Sequence, residues 1–341
     1  MKQVLSYTDL QKNERKNLAN LVPMDMPFAL YFDPTNYCNF KCLYCPQSFN
    51  DFHDSVGGSK HLDLALFDKV ALELKGWGKL KVLRLYYLGE PFMHPNFFGI
   101  LRIAISYNIA ERIEITTNAS MLNQRRIKDL LDACEHCECV IYLRVSIYSV
   151  IQEKHKKITQ SSISIETIRT NMKNLRETRD SRGLNSPFIY VKMINPYCEE
   201  ETNLFYEYYK AIADQIVLEE PMNWNGNHGS SIIEKLYTSE QIITMPENPA
   251  RKACPYPFYT MAIFSDGDVV SCCVDWSRAT KIGNVQEQTL KEIWKSKQLK
   301  DFQIAHLSGK RFSHIACQNC QVLNCCPELD NIDDLPLNRI L

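Results

Sequence analysis

The sequence predicts an α/β fold: a parallel sheet flanked by helices and curled into an open or closed barrel, followed by a small unit of another kind. Two observations predict it. Through the first two thirds of the chain, runs of apolar, β-branched and aromatic residues alternate with helix-like segments, and such alternation is typical of right-handed βαβ units. After about residue 221 this alternation stops, and turn residues and cysteines become frequent.

Six strands and five helices make up the predicted barrel. Each strand is a short run of strand-forming residues, such as ALYFD or RIEITT. The predicted strands are 29–33, 81–88, 112–117, 141–148, 188–194 and 215–219, and the predicted helices are 64–75, 95–107, 123–134, 165–179 and 201–213. Because sites in such barrels gather at the C-terminal ends of the strands, we expect functional residues directly after them.

The remainder of the chain predicts a connection, a hairpin, a short helix and a cysteine-rich tail. PMNWNGNHGSS is typical of a connection, and FYTMAIFSDGDVVSCCV predicts a hairpin around the turn Ser265 to Asp268. TLKEIWKSKQL predicts an amphipathic helix with inward-facing apolar residues, namely Leu290, Ile293, Trp294 and Leu299. The predicted divisions are an N-terminal extension at 1–28, the barrel at 29–220, a connection at 221–253 and a small domain at 254–341.

Composition narrows the class of protein. The 341 residues carry 39 Lys and Arg against 40 Asp and Glu, so the formal charge is −1 and a broad nucleic-acid-binding surface is not expected. The sequence shows no signal peptide and no apolar run long enough to span a membrane, so we expect a cytoplasmic protein. Fourteen cysteines in a reducing compartment indicate metal or redox chemistry rather than disulfides.

Three cysteines form the strongest local pattern. Cys38, Cys42 and Cys45, here called the first triplet, have the spacing C-x3-C-x2-C and directly follow the first predicted strand. Three thiolates can bind zinc with a fourth ligand, and His53 and His61 are within reach in the sequence. They can also bind three irons of a [4Fe–4S] cluster and leave the fourth iron open. Zinc more often uses paired C-x2-C motifs, so the iron–sulfur interpretation is favoured.

The first triplet, with an aromatic residue before its last cysteine, resembles the signature of the radical S-adenosylmethionine (SAM) superfamily. LGEP, Leu88 to Pro91, stands where the family has GGEP, and TTNA, Thr116 to Ala119, ends the third strand where the family contacts SAM. The resemblance implies a partial (β/α)6 barrel in which the first triplet holds a [4Fe–4S] cluster. The residues that would contact SAM are Tyr44, Gly89, Glu90, Pro91, Thr117, Asn118 and Ser146.

The same resemblance implies the chemistry. An electron from a flavodoxin- or ferredoxin-type donor reduces the cluster, SAM is cleaved, and a 5′-deoxyadenosyl radical removes a hydrogen atom from an unactivated C–H bond. The alternative for the smaller motifs is that they have no role in cofactor binding. Glu90 would then be a solvated loop carboxylate, and Asn118 and Ser146 would be polar residues at strand ends.

A downstream set of cysteines suggests a further centre. Cys254, Cys272, Cys317 and Cys320, here called the downstream group, resemble the twitch or SPASM extension of radical SAM enzymes, which implies an auxiliary [4Fe–4S] cluster in a hairpin-plus-helix domain. A four-cysteine zinc ribbon is the alternative. Cys326 fits the next SPASM spacing, but Asp330 stands where the last cysteine of that pattern would follow, so a second auxiliary cluster is not expected unless this aspartate serves as a ligand. A further set is expected at the opposite end of the barrel as buried or incidental thiols, namely Cys134, Cys137 and Cys139.

These features together predict a radical SAM oxidoreductase that dehydrogenates a small carbohydrate-like or aminocyclitol substrate, because the cysteine spacing resembles dehydrogenases with one auxiliary cluster. Only 37 residues precede Cys38, which favours a small molecule over a leader peptide. Lys192 and Trp224 are candidate substrate contacts, as a hydrogen-bonding group and an aromatic platform. The alternatives are an epimerase with Cys198 as hydrogen-atom donor, a peptide-modifying maturase, and a non-enzymatic zinc-binding module.

Overall fold

The computed structural model describes residues 16–135, 137–221, 236–238, 251–318, 320, 323 and 326–340. Its strands are β1 (Ala29–Phe32), β2 (Leu80–Arg84), β3 (Ala110–Thr117), β4 (Val140–Ile147), β5 (Phe188–Ile194), β6 (Gln215–Glu219), β7 (Thr260–Ile263), β8 (Asp268–Val270) and β9 (Lys281–Asn284). Its helices are α1 (Phe52–Ser55), α2 (Leu64–Trp77), α3 (Phe97–Ser106), α4 (Gln124–Cys134), α5 (Gln152–Thr159), α6 (Ile165–Ser181), α7 (Glu199–Tyr209), α8 (Leu290–Trp294) and α9 (Lys297–Leu307).

The strands form one sheet in the order β6-β5-β4-β3-β2-β1-β7-β8-β9. Strands β1 to β6 are parallel to their neighbours, which confirms the predicted βαβ architecture. Because β1 pairs with β7 and not with β6, the barrel is open. In β3, β4 and β5, alternate residues such as Ile113, Leu143 and Val191 pack in the core with the helices, so the residues between them face the concave interior.

The predicted hairpin exists but is not separate from the barrel. Strands β7 and β8 are antiparallel, and Gly267 has φ +89° in the turn between them, a conformation that glycine adopts without steric cost. The first of these strands also pairs in parallel with β1, from Ala29 opposite Thr260 to Phe32 opposite Ile263. The C-terminal unit therefore extends the barrel sheet, which alternating patterns along the chain could not show.

Three element predictions were wrong in detail. Strand β2 ends at Arg84 rather than at residue 88, because the chain then turns and Asp33 accepts a hydrogen bond from Leu88 N. Helix α5 was not predicted, since QEKHKKIT contains little apolar surface. The predicted helix 289–299 is two helices, because Ser296 caps α9 by accepting from Leu299 N. All four of its predicted inward residues are buried, as expected.

Within the described part of the chain, no helix is both long and apolar enough to cross a membrane. Most of the predicted connection at 221–253 lies outside the described residues, and the predicted domain limits stay a prediction.

Candidate active site

The first triplet lies in the loop after β1, at the C-terminal end of the sheet. Cys42 is buried, and Cys38 and Cys45 are partly exposed. Burial raises the pKa of Cys38 to about 12 and that of Cys45 to about 11. Burial also raises the pKa of Cys42, and the neighbouring thiolates of Cys45 and Cys38 raise it further. Three soft donors that are costly to ionise alone fit a multivalent iron centre, which compensates for the buried negative charge.

Helix α5 supports this loop through backbone hydrogen bonds. Its last carbonyl groups accept hydrogen bonds from the loop backbone, Lys41 N to Thr159 O at 3.0 Å and Leu43 N to Ile158 O at 2.8 Å. The loop amides thus satisfy orphan carbonyls at the C-terminus of a helix. The unpredicted helix is therefore part of the framework that positions the three cysteines.

The LGEP turn packs directly on the same loop. Glu90 N donates to Tyr37 O at 2.8 Å. A Cβ atom at Gly89 would lie 2.1 Å from Thr35 O, so no other residue fits there without moving the backbone. The carbonyl of Leu88, where the family has its first glycine, accepts a hydrogen bond from Gln47 Nε2 at 3.1 Å. The close approach explains why the second glycine of the motif is kept and the first is not required.

Glu90 connects the ends of β2 and β3. Its carboxylate accepts from Phe92 N at 3.2 Å, from Thr117 Oγ1 at 2.7 Å and from Asn118 N at 2.8 Å. The side chain is buried, and burial raises its pKa to about 7. Asn118 Nδ2 in turn donates to Asn39 Oδ1 in the cysteine loop at 2.9 Å. The solvated-carboxylate alternative for Glu90 is therefore wrong, and these side chains tie three loops together.

Ser146 and Lys192 are neighbours in the register of β4 and β5, and they lie on the concave side of the sheet. Lys192 Nζ lies 2.7 Å from Glu219 Oε2, and the lysine side chain is only 20% exposed. Burial lowers the pKa of Lys192. A solvated lysine at a strand end is therefore the wrong description, because this one is ion-paired inside the barrel.

Sequence reasoning missed a buried network of charges in the barrel interior. Arg84 Nε lies 2.9 Å from Glu114 Oε2, and Arg84 also donates to the Tyr31 hydroxyl at 2.9 Å. Arg144 donates to Glu219 Oε1 at 3.2 Å and contacts Glu114 at 3.8 Å. The available signal was a charged residue in each of four strands, namely Arg84 in β2, Glu114 in β3, Arg144 in β4 and Glu219 in β6. Such buried charges give the cavity fixed hydrogen-bonding groups for a polar substrate.

Tyr44 lies in a group of tyrosines beside the first triplet. Its ring stacks with Tyr148 at 6.4 Å between ring centroids, and the Tyr148 hydroxyl forms a hydrogen bond with Cys42. The hydroxyl groups of Tyr44 and Tyr237 are 3.1 Å apart, and Tyr237 donates to Asn195 O at 3.0 Å. Tyr44 therefore joins the cysteine loop to the chain that follows β5.

Two further candidates lie apart from this centre or outside the described residues. Cys198 is exposed and immediately precedes α7, after the end of β5. Trp224 lies outside the described residues. Cys134 ends α4, and Cys137 and Cys139 lie between α4 and β4, at the N-terminal end of the sheet, with their sulfur atoms 2.8 Å apart. Their roles stay predictions.

The downstream group gathers beside β7 and β8. Cys254, Cys272 and Cys317 are buried and Cys320 is partly exposed. After burial, the strongest effects that raise the pKa of Cys254 come from the thiolates of Cys326, Cys320 and Cys317. Cys254 and Cys320 likewise raise the pKa of Cys272. Four thiols close enough to influence one another's pKa fit an iron–sulfur centre in their donor chemistry.

Cys326 belongs spatially to the downstream group, since it packs with Cys254 and Leu323 in one small cluster. Its sequence spacing allowed this, but the sequence could not show convergence. Within the described residues, no three His, Cys, Asp or Glu side chains converge as tightly as a single metal ion needs. His53 Nδ1 instead bonds to the Ser59 hydroxyl at 2.9 Å, and His61 stacks on Tyr37 at 4.6 Å.

Comparisons with known proteins agree with this arrangement. A model of the radical SAM superfamily matches residues 32–191, and a model of the SPASM iron–sulfur cluster-binding domain matches residues 254–326. The chain is 24% identical, over 89% of its length and 90% of the other, to the tungsten-containing aldehyde ferredoxin oxidoreductase cofactor-modifying protein of Pyrococcus furiosus.

Two solved structures share the fold. BtrN in complex with AdoMet and 2-DOIA is 17% identical with a TM-score of 0.56, covering 87% of this chain and 93% of that one. SuiB of Streptococcus suis bound to the precursor peptide SuiA is 15% identical with a TM-score of 0.62, covering 94% and 76%. The two domains imply a [4Fe–4S] cluster, SAM and auxiliary iron–sulfur binding, while the assignment of ligands to particular cysteines stays a proposal. The chain therefore contains a radical SAM domain, followed by a SPASM-type iron–sulfur domain.

Proposed function

We propose that this radical SAM enzyme dehydrogenates a carbon that bears a hydroxyl or amino group in a small carbohydrate-like or aminocyclitol substrate. When bound, the first cluster and SAM supply a 5′-deoxyadenosyl radical that takes one hydrogen atom from that carbon. The first triplet holds this cluster, and Glu90, Thr117 and Asn118 fix the loops around SAM. To complete the oxidation, the substrate radical must then lose one proton and one electron.

The observation that carries this proposal is the contact between the downstream group and the barrel interior. Cys273, next to Cys272, is buried, and although burial raises the pKa of its thiol, the nearby Arg84 charge and Tyr31 hydroxyl act to lower it. Tyr31 lies on the concave side of β1 and accepts from Arg84 at 2.9 Å. An auxiliary cluster held by Cys272 therefore adjoins the wall of the cavity in which the substrate binds. That position suits it to accept the electron.

The cavity also offers a carboxylate that can orient the hydroxyl or amino group of the substrate. Although burial opposes ionisation, Lys192 and Arg144 hold the pKa of Glu219 below its usual value, so it stays a carboxylate. A carboxylate can accept a hydrogen bond from the hydroxyl or amino group of the substrate and orient it for deprotonation. Lys192 supplies a donor beside it, 2.7 Å away. We assign Lys192 and Trp224 to substrate contact.

Two other outcomes have specific support. Epimerisation needs a hydrogen-atom donor, and the exposed thiol of Cys198 lies just beyond β5. The relative that aligns over 89% of this chain is named a cofactor-modifying protein. Enzyme cofactors should therefore be tested as substrates as well as sugars. Peptide maturation is a further alternative, and the zinc-binding module is excluded if reconstituted protein contains iron and sulfide.

The test is a turnover in D2O with anaerobically reconstituted enzyme and a panel of aminocyclitols, sugars, cofactors and short peptides. Dehydrogenation predicts a product lighter by two hydrogen atoms. An isomer that carries one solvent deuterium, formed by wild type and by Cys137→Ala but not by Cys198→Ala, would instead establish an epimerase. Cys137 is the matched control because it lies at the other end of the sheet.

A further inference from the structure

One histidine contacts two residues of the downstream group. His306 lies on α9 and is 1% exposed. Its Nδ1 accepts a hydrogen bond from Cys254 N at 3.1 Å, and its Nε2 lies 3.8 Å from Cys317 Sγ. The Phe302 ring packs against the imidazole, with 4.6 Å between ring centroids. The ring is therefore held in one orientation between two proposed ligand residues.

The contacts of this imidazole decide which nitrogen carries its proton. A backbone N–H can only donate, so Nδ1 must present its lone pair to Cys254. The neutral ring then carries its proton on Nε2, which points toward the sulfur of Cys317. The resulting contact is an N–H donor aimed at a thiolate that, in the proposed function, ligates the auxiliary cluster.

We propose that His306 is a positioning residue that raises the reduction potential of the auxiliary cluster through an Nε2–H hydrogen bond to Cys317 Sγ. This inference rests on the ligand set of the proposed function. Reduction adds one negative charge to the cluster and its sulfur ligands. A hydrogen bond to a ligand sulfur stabilises that extra charge, and outer partners of this kind tune metal centres.

The charged residues around the downstream group have opposite effects on the stability of a reduced cluster. Arg311 is 5% exposed and close enough to Cys317 to lower the pKa of its thiol, against the effect of burial. Its positive charge also stabilises the reduced cluster. Asp275 acts in the opposite sense on Cys317, although Thr280 donates to this carboxylate through its backbone N at 2.6 Å and its hydroxyl at 2.8 Å. His306 contributes the hydrogen bond without adding charge.

A raised potential agrees with the proposed reaction. A cluster that accepts an electron from a substrate radical works better when its reduced form is stabilised. Because the hydrogen bond acts on a ligand sulfur, it can tune the auxiliary cluster without touching the cluster that cleaves SAM. The first cluster therefore serves as an internal reference in the same molecule.

The test compares His306→Asn with His306→Gln in the full chain, reconstituted anaerobically. The Asn oxygen can still accept from Cys254 N, but the side chain is too short to donate to Cys317. The Gln amide instead places an N–H donor near the position of Nε2. In a redox titration followed by electron paramagnetic resonance, we expect the auxiliary midpoint potential to fall in Asn and to stay near wild type in Gln. The first-cluster potential should not change in either variant.

The control is His314→Asn, which alters the other histidine on the Phe302 ring. His314 Nδ1 accepts from Ala316 N at 3.3 Å, so its replacement should leave the potential unchanged. Equal auxiliary potentials in wild type and His306→Asn, with full iron content, would overturn the inference and leave the proposed dehydrogenation standing. If His306→Asn loses iron, the hydrogen bond is tested in the wild-type protein instead. There, an exchangeable proton that couples magnetically to the auxiliary cluster supports the hydrogen bond, and the lack of such a proton overturns it.

The proposed function fails in a different way. If a variant with Cys254, Cys272, Cys317 and Cys320 all changed to Ala retains a complete auxiliary cluster, the ligand assignment is wrong, whatever the potential of the His306 variants.

Discussion

Replacing Glu90 tests whether one buried carboxylate holds the SAM-binding loops together. In Glu90→Ala, the backbone N–H groups of Phe92 and Asn118 lose their acceptor, while the Thr117 hydroxyl can rotate to another partner. A buried donor without an acceptor costs about 1–3 kcal/mol, so we expect the free energy of unfolding to fall by about 2–6 kcal/mol. SAM affinity should fall with it, because the Asn118 turn also contacts the cysteine loop.

The assay is urea unfolding of the anaerobically reconstituted protein, followed by SAM titration of variants that retain iron. Glu111→Ala is the matched control, on the strand that carries Thr117, since Glu111 is 52% exposed and pairs with Lys81 at 2.5 Å. Exposed pairs contribute about 0.2–1 kcal/mol, so this control should change little. If Glu90→Ala and Glu111→Ala unfold at the same urea concentration, the reasoning is refuted.

Glu90→Gln separates the charge of this carboxyl from its shape. Burial raises the folded-state pKa of Glu90 from 4.5 to about 7. The folded protein therefore binds this proton more tightly, and its contribution to stability is complete below the unfolded pKa and lost as the pH rises through 7. Relative to Glu90→Gln, wild type should lose about 1.4 kcal/mol between about pH 6 and pH 8. A difference that rises with pH would contradict the assigned protonation.

Three other predictions concern the clusters and the cavity. Changing the whole first triplet to Ala should leave about four irons per chain and abolish SAM cleavage; loss of all iron would contradict two separate sites. Changing Cys254, Cys272, Cys317 and Cys320 together to Ala should remove about four irons by iron and sulfide assay, whereas Cys137→Ala should remove none. Lys192→Met should reduce product formation while 5′-deoxyadenosine still forms, because the substitution alters the cavity and not the cluster. The control is Lys210→Met, which changes a 63% exposed side chain. Equal product formation by both variants would show that Lys192 is not part of the site.

The sequence could predict those parts of the molecule that depend on local pattern. Alternating runs predicted the parallel strands, and the position of the first triplet after β1 predicted its place at the C-terminal end of the sheet. The partners of Glu90 could not be predicted, because Thr117 and Asn118 are 27 and 28 residues away along the chain. Helix α5 escaped prediction because its stability comes from Ile158 and from the cysteine-loop amides rather than from an apolar face of its own.

The position of the downstream cysteines relative to the barrel also could not be predicted from the sequence. Their spacing predicted a centre but not its distance from the barrel, which depends on the pairing of β7 with β1. Cys326 joins the group although its neighbours in sequence gave no periodic signal. Pairing between strands more than 200 residues apart depends on which sheet edge is available, and this is a property of the folded barrel.

Strand β1 links the two proposed redox centres mechanically. The loop that carries the first triplet begins at the C-terminal end of β1. One edge of β1 pairs with β7, and the chain continues from β7 through β8 to Cys272. Tyr31, in the middle of β1, faces the interior, where it contacts both Arg84 and Cys273. A hydrogen-bonded sheet changes little in length or register, so the paired strands fix the spacing of the points from which the loops with the first triplet and Cys272 begin. In the proposed dehydrogenation, the pairing of β7 with β1 keeps the electron acceptor at a constant distance from the place where the substrate radical forms.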